Sequence, residues 1–125
     1  DRCTFLDTFT YDRMPDVYRA ADCFVLPSIA TETWQEQFGM SLIEAMSCGV
    51  PVVSTYSGSI PEIGSNAVRL CQPNDFLALY EAIRSVARDD AYRKSLCSAG
   101  RTRVLQEYTL KGYAESLKVV YSELV

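Results

Sequence analysis

Short apolar runs of strand character alternate along this chain with segments of helical periodicity, and this alternation limits the folds that it can adopt. The run Cys23–Leu26 predicts a strand buried on both faces, and Val52–Thr55 predicts a second strand of the same buried type. We expect further strands at Cys3–Phe9, where apolar and polar residues alternate, and at Ala67–Cys71. Strands that alternate with helices favour an α/β fold, in which a parallel sheet carries helices on both faces.

Five segments have the apolar spacing of helices, and they cover residues 14–21, 39–48, 76–86, 90–106 and 110–124. The second is expected to pack Met40 and Ile43 inward and to end at Gly49. Either Asn74 or Asp75 is a suitable N-cap for the third. The fifth carries a single apolar stripe, which predicts core packing. That stripe consists of Leu110, Tyr113, Leu117, Val120, Tyr121 and Leu124.

Two polar loops identify the edge of the sheet at which a ligand is expected. Residues 29–38 follow the predicted strand that ends at Leu26, and residues 56–64 follow the one that ends at Thr55. Ligands of open parallel sheets bind outside the carboxyl ends of the strands. We therefore expect the binding site where these two loops meet.

The composition excludes several classes of partner and chemistry. The chain has 125 residues, about one domain, and its net charge of −4 offers no basic surface for nucleic acid or an anionic membrane. No apolar run approaches the roughly 18–20 residues of a membrane span, and we expect a cytoplasmic protein. Histidine is absent, which removes histidine-based acid–base catalysis and every zinc site that contains histidine.

The spacing of the cysteines is not typical of disulfide-bonded or metal-binding proteins. There are five of them, their spacing is wide, and no CxxC motif occurs, so neither disulfides nor a metal site is expected. We expect reduced and mostly buried thiols. The cysteines are Cys3, Cys23, Cys48, Cys71 and Cys97.

The segment from Glu36 to Glu44 is the most informative part of the chain. Gly39 stands where a helix begins, so free backbone N–H groups face outward at the positive end of the helix dipole, and no Cβ obstructs a phosphate or a sugar hydroxyl. The two carboxylates could hold two ends of one elongated polyhydroxy ligand. Alternatively, Glu36 only complements the helix dipole and Glu44 is solvated. The apolar neighbours of Glu44 favour a buried carboxylate, which needs hydrogen-bond partners.

Three stretches in and around this segment read PDVYRAADCFVLPS, EQFGMSLIEAMSCGVPVVST and SGSIPE. Together they resemble the C-terminal donor-binding domain of retaining GT-B glycosyltransferases, in the group called family four or glycosyl transferases group 1, whose signature is E-x7-E. The resemblance extends over nearly the whole chain. It implies a Rossmann-like fold in which residues 1–125 are a nucleotide-sugar-binding domain, truncated on its N-terminal side, of a longer enzyme. The opening without an initiator methionine agrees with that expectation.

The resemblance also implies a role for each matching residue. Glu36 would contact hydroxyls of the donor sugar and act in catalysis, and Glu44 would hold the ribose hydroxyls of the nucleotide. Phe38, Gly39 and Met40 would form the turn whose backbone amides face the sugar and the diphosphate. The implied reaction moves a sugar from a UDP-, GDP- or ADP-linked donor to an acceptor with anomeric retention, without a metal or cofactor.

The family resemblance also implies that essential parts lie outside this chain. The basic residues that neutralise the diphosphate and the domain that binds the acceptor would precede Asp1. We therefore expect the isolated chain to bind donor weakly and to transfer nothing, with no contact to membrane or nucleic acid. Edge strands left exposed by truncation could make it associate.

Three departures from the family pattern occur near the predicted site. Gln37 stands where proline is usual, and Ser57–Gly58 stands where Gly-Gly is more frequent. The loop that contains Trp34 is longer than in many members of the family. Trp34 either packs this loop down or shapes a substrate pocket.

Two other functions stay open at this point. A nucleotide-sugar 2-epimerase would bind the same class of ligand on the same fold, although the F-G-x-x-x-x-E-A-M context favours transferases. A non-catalytic nucleotide-sugar-binding module is the third hypothesis. A long upstream region with its own α/β pattern would favour an enzyme over a module, because fold alone does not establish function.

Overall fold

The computed structural model describes residues 2–124, and its centre is a three-stranded parallel sheet. The strands are β1 (Phe24–Leu26), β2 (Val52–Thr55) and β3 (Val68–Cys71), in the order β1-β2-β3. All four residues of β2 are buried, because β2 has a strand on each side and helices on each face. The predicted α/β architecture is confirmed.

Residues 2–124 form six helices, and two of them are joined to a 3-10 turn. One such turn, Tyr11–Arg13, precedes the first helix, and the other, Ser65–Ala67, follows the third. The helices are α1 (Met14–Arg19), α2 (Met40–Ser47), α3 (Ile60–Gly64), α4 (Phe76–Arg88), α5 (Asp90–Glu107) and α6 (Leu110–Glu123).

The two faces of the sheet bury two separate cores. Val52 faces the core formed by α1, α2 and α3, whereas Val53 faces the core that includes Ala82 and Val86 of α4. Because successive residues of a strand point to opposite faces, the adjacent valines of β2 serve both cores. Helix α5 contributes to both as well, with Leu96 at its first half in one core and Val104 in the other.

Helix termini follow local capping chemistry. Asp75, one of the two predicted candidates, is the N-cap of α4, and its carboxylate accepts a hydrogen bond from the Ala78 amide at 2.8 Å. Asp89 and Thr109 cap α5 and α6 in the same way. Helix α2 ends at Ser47, and Gly49 just beyond its C-cap has a φ of 74°, the left-handed conformation that glycine adopts after helix ends.

The predicted strand at Cys3–Phe9 is wrong. Residues 2–10 have extended or irregular backbone without strand pairing, and Phe5 is 96% exposed. A strand is stable only beside another strand, and among residues 2–124 β1 pairs with β2 alone.

Position within the sheet corrects a second expectation. β1 is half-buried rather than buried on both faces, because it stands at the edge of the three strands. The prediction that Met40 packs inward is wrong, since it is 58% exposed, whereas Ile43 is buried as predicted, together with Leu42 and Met46. Met40 is the first residue of α2, so its side chain lies at the mouth of the helix and not over the sheet.

The segment expected to be a loop at 56–64 contains a short helix. Pro61 occupies the first turn of α3, where its missing N–H would have no intrahelical partner in any case. Ile60 and Ile63 are both buried in the core beside α2. A five-residue helix is too short to show a periodic pattern, and for this reason the sequence did not reveal it.

The apolar stripe of α6 and most of the thiols are not buried, contrary to prediction. No residue of α6 is buried, and Leu110 at its start is 88% exposed. Of the six stripe residues, Leu117 is half-buried and the other five are exposed. Among the cysteines, Cys71 is buried, Cys3 is exposed, and the other three are intermediate. None of the five is in a disulfide.

No helix among residues 2–124 is both long enough and apolar enough to span a membrane.

Candidate nucleotide-sugar site

The loops that follow β1 and β2 lie directly against each other at the carboxyl edge of the sheet. The Ser59 amide donates a hydrogen bond to the Glu36 carbonyl oxygen at 3.0 Å, and the Ser59 hydroxyl donates to the same oxygen at 3.3 Å. Gly58 has a φ of 52°, and a Cβ at this position would lie 2.0 Å from the Glu36 carbonyl oxygen. The close approach therefore requires glycine here.

Glu36 lies in the turn just before α2, and its carboxylate closes that turn. The Oε1 atom accepts a hydrogen bond from the Gly39 amide at 3.0 Å. Gly39 is the N-cap residue and has a φ of 68°, which a residue with a side chain rarely adopts. A carboxylate at this end of a helix is also favoured by the helix dipole.

The mouth of α2 presents unpaired backbone donors. The amides of Met40 and Ser41 have no acceptor among residues 2–124, as expected for the first turn of a helix. The Phe38 ring beside them is half-exposed and makes an edge contact with Tyr108, with ring centroids 6.1 Å apart. Together with Glu36, these groups form a small surface of donors and one carboxylate that suits a ligand with phosphate and hydroxyl groups.

Glu44 lies one helical turn further along α2 and has a partner from another element. Its Oε2 atom accepts a hydrogen bond from the Tyr18 hydroxyl of α1 at 2.8 Å. Burial and this bond to a carboxylate raise the pKa of Tyr18 well above its usual range. The Tyr18 ring is itself held edge-on against Phe24 of β1, with ring centroids 5.4 Å apart.

A pocket of about 130 Å³ opens beside the Glu44 carboxylate. It lies between α1 and the outer face of α2 and combines two tyrosines with a carboxylate, a hydroxyl and a thiol. Its lining residues are Tyr11, Met14, Pro15, Tyr18, Glu44, Ser47 and Cys48.

Comparison with known proteins places the chain in a family. The sequence pattern of the glycosyl transferases group 1 family matches residues 1–103. The chain belongs to this family.

Relatives of this group 1 chain include named enzymes and solved structures. Over 93 residues it is 38% identical to the O-antigen chain mannosyltransferase B of Escherichia coli, a match that covers 74% of this chain and 23% of that protein. Sucrose-phosphate synthase from Thermosynechococcus elongatus superimposes with a TM-score of 0.83 at 29% identity, over 97% of this chain and 30% of that one. Alr3699/HepE from Anabaena, solved in complex with UDP-glucose, superimposes with a TM-score of 0.75 at 23% identity. This match covers 88% of this chain and 30% of that one.

These figures also state what this group 1 chain spans. It corresponds to about a quarter to a third of the length of such relatives. The similarity to the Anabaena structure, at 23% identity, shows the fold. The GT-B type of architecture that the sequence pattern predicted is therefore confirmed by structural neighbours.

Residues that the sequence did not identify hold the segment around Phe38 in place. Arg103 of α5 donates to the carbonyl oxygens of Ile63 and Glu62 at 2.7 and 2.8 Å, so it caps the end of α3. The same guanidinium donates to the Tyr108 hydroxyl at 3.2 Å, and Tyr108 contacts Phe38. Arg103 is some 40 residues from Glu62 and Ile63, and Tyr108 is far along the chain from Phe38, so no local pattern could have indicated these contacts.

The departures from the family pattern have visible consequences. The hydroxyl of Ser57, which is 3% exposed, has no partner among residues 2–124, while the next residue must be glycine. Gln37 donates from its side-chain amide to the Gln35 carbonyl oxygen at 3.3 Å. Trp34 is 52% exposed, so the indole does not hold its loop by burial.

Among residues 2–124, no three cysteine, aspartate or glutamate side chains are grouped as metal ligands.

Proposed function

We propose that residues 1–125 form the C-terminal nucleotide-sugar-binding domain of a retaining glycosyltransferase. The full enzyme would transfer a sugar from a nucleoside diphosphate sugar to an acceptor held by a further domain. The observation that carries this proposal is the arrangement of three groups along α2. The Glu36 carboxylate lies just before the helix, and unpaired backbone amides lie at its first turn. The Glu44 carboxylate, bonded to Tyr18, borders a pocket further along.

The nucleoside would occupy the pocket between α1 and α2. Glu44 accepts one hydrogen bond from Tyr18 and retains its other oxygen for ribose hydroxyls, which are good donors to a carboxylate. Tyr18 also fixes the direction of that carboxylate, since its hydroxyl donates to one oxygen. The exposed ring of Tyr11 borders the same pocket and offers a flat apolar surface to a base.

The diphosphate and the donor sugar would lie at the mouth of α2. The amides of Met40 and Ser41 would donate to phosphate oxygens, and the helix dipole would stabilise negative charge on the leaving diphosphate. The Oε1 atom of Glu36 bonds the Gly39 amide, which leaves Oε2 to accept from sugar hydroxyls. Phe38 would border this turn. Neither a metal nor a cofactor is part of the proposal.

The relatives support the class of substrate. The Escherichia coli relative is a mannosyltransferase, and the Anabaena neighbour was solved with UDP-glucose. We also propose that this domain acts in the cytoplasm. The identity of the base stays open among uridine, guanosine and adenosine.

Ligand-observed NMR with UDP, GDP, ADP and their hexose derivatives tests the proposal. The chain is expected to bind one of these nucleotides, and Glu44→Gln is expected to weaken that binding about tenfold, because it removes the charge but keeps the shape. Glu115→Gln, on exposed α6, is the matched control and should bind normally. Binding that is equal in all three proteins would contradict the assignment of Glu44, and sugar transfer by the isolated chain would contradict the need for another domain.

A further inference from the structure

A closed series of contacts joins both ends of the turn before α2 to the short helix α3. At one end of the turn, the Glu36 carbonyl oxygen accepts hydrogen bonds from Ser59, the N-cap residue of α3. At the other end, the Phe38 ring contacts the Tyr108 ring, and the two ring planes are 87° apart. The series is closed because the end of α3 is itself bonded to Tyr108 and to Arg103.

Tyr108 is held in place by several groups at the end of α5. Arg103 donates to the carbonyl oxygens of Glu62 and Ile63, and it also donates to the Tyr108 hydroxyl at 3.2 Å. The Tyr108 hydroxyl in turn donates to the Ile63 carbonyl oxygen at 3.5 Å. The guanidinium carbon of Arg103 lies 5.6 Å from the centroid of the Tyr108 ring, within the range of a cation–π contact. The ring that contacts Phe38 is therefore fixed on α5 and α3.

The turn itself contains a residue with little conformational restraint. Gly39 has a φ of 68°, and without a Cβ it can adopt many other conformations. The Phe38 ring is 45% exposed, so its contact with Tyr108 is an important restraint on this side of the turn. The unpaired amides of Met40 and Ser41 follow directly, and their direction depends on the backbone of Phe38 and Gly39.

We infer that Tyr108 positions the diphosphate end of the donor site by acting through Phe38. Its ring holds Phe38, and this contact keeps the α2 amides and the Glu36 carboxylate directed at one ligand. Donors that are already fixed cost less to order when a ligand binds, so the affinity for a diphosphate is higher. The inference rests on the proposed function, in which the diphosphate lies at the start of α2. The matched family pattern covers residues 1–103 and so gives Tyr108 no role.

The nucleoside end of the site lies outside this series of contacts. Glu44 is directed by Tyr18, and neither Phe38 nor Tyr108 lines the pocket beside it. A change at Tyr108 is therefore expected to act on the diphosphate and to leave the nucleoside contacts as they are. A general loss of stability, in contrast, lowers the affinity for both parts of the ligand equally, because it lowers the fraction of folded protein.

Ligand-observed NMR with nucleosides and nucleoside diphosphates measures the two ends separately. The probes are uridine, guanosine, adenosine and their diphosphates, and the pair that the wild-type chain binds is then followed in the variants. Tyr108→Ala is expected to weaken diphosphate binding about tenfold and to leave nucleoside binding unchanged. Glu44→Gln should weaken both. Tyr113→Ala, which removes an exposed tyrosine from α6, is the matched control and should alter neither.

Further variants show whether Tyr108 acts through Phe38. Tyr108→Phe loses the hydroxyl but keeps a ring against Phe38, so it should retain most of the diphosphate affinity. In a Phe38→Leu background, Tyr108→Ala should cause little further loss, because the ring through which it acts is already gone. Tyr108→Leu replaces Tyr108→Ala in both backgrounds if circular dichroism shows that the alanine variant is not folded.

The inference and the proposed function fail in different ways. If the wild-type chain binds none of the probes, both are overturned. If it binds a diphosphate and Tyr108→Ala binds that diphosphate equally well, only the positioning role of Tyr108 is overturned. An equal loss of nucleoside and diphosphate affinity in Tyr108→Ala, or an additive loss in the double variant, would also overturn that role and leave the proposed function intact.

Discussion

The two carboxylates of the E-x7-E motif are held in different ways. Glu36 is held mainly by backbone: its carboxylate bonds the Gly39 amide, and its carbonyl oxygen accepts from Ser59 in the loop after β2. Glu44 is held by one side chain, the Tyr18 hydroxyl, which comes from α1. Two residues of the same type on one motif therefore depend on different parts of the fold.

The two ends of the site are therefore expected to be sensitive to different substitutions. Around Glu36, stability and ligand binding are expected to depend on backbone geometry and on the residues that join α3 to α5. The Glu44 end is expected to respond to changes in one hydrogen-bonding group. Three substitutions test this contrast.

The largest effect is expected at Gly58. Its left-handed φ and the 2.0 Å approach of a Cβ to the Glu36 carbonyl oxygen predict that Gly58→Ala lowers the free energy of unfolding by about 3 kcal/mol. Gly49→Ala is the matched control, because Gly49 also has positive φ but has open space around its Cβ position. It should cost about 1 kcal/mol. Urea unfolding measures both, and equal losses would show that the loop contact does not matter.

Arg103 is expected to come second. Arg103→Ala removes two charged hydrogen bonds to the end of α3 and releases Tyr108, so we expect a loss of about 2 kcal/mol. Arg101→Ala, which removes one exposed bond of 3.3 Å to the Ser47 carbonyl oxygen, should cost less than about 0.5 kcal/mol. Thermal unfolding measures both losses. If nucleotide affinity also falls in Arg103→Ala, the contacts of Arg103 with α3 and Tyr108 also position the start of α2. A loss of stability no larger than that of Arg101→Ala would contradict a structural role for the Arg103 hydrogen bonds.

Tyr18→Phe is expected to have the smallest effect on stability, about 1 kcal/mol. The pKa of Tyr18 is raised in the folded state above its ordinary value of 10.0, so the protonated hydroxyl stabilises the fold. This contribution is complete below about pH 10, where the unfolded tyrosine is also protonated, and declines as pH rises further. Urea unfolding from pH 7 to 11 should therefore show a constant difference between wild type and variant up to about pH 9.5, which then narrows. A difference that grows above pH 10 would contradict the hydrogen bond.

The prediction of elements succeeded where a local pattern was sufficient. β2 is fully buried as its short apolar sequence indicated, Gly49 follows the end of α2, and Asp75 caps α4. These features depend on residues within a few positions of one another. The strand expected at Cys3–Phe9 failed because alternation describes a tendency, while pairing requires a neighbouring strand.

The candidate site was predicted in part for the same reason. Glu36, Gly39 and Glu44 could be singled out, because they share one short motif with a helix start inside it. Tyr18, Ser59 and Arg103 could not, because each acts on the motif from another element. The exposure of Trp34 could not be predicted either, because it depends on how its loop packs.

The sequence by itself determined the class of this protein: an α/β domain of the glycosyl transferases group 1 family, with its motif at the start of one helix. Alternating periodicity, caps and glycines encode such features locally, so they can be read without coordinates. Three features depend on packing instead: Tyr18 directs Glu44, Gly58 must be glycine, and most of the α6 stripe is exposed. Each of these results depends on atoms from distant parts of the chain, and their proximity is created by packing.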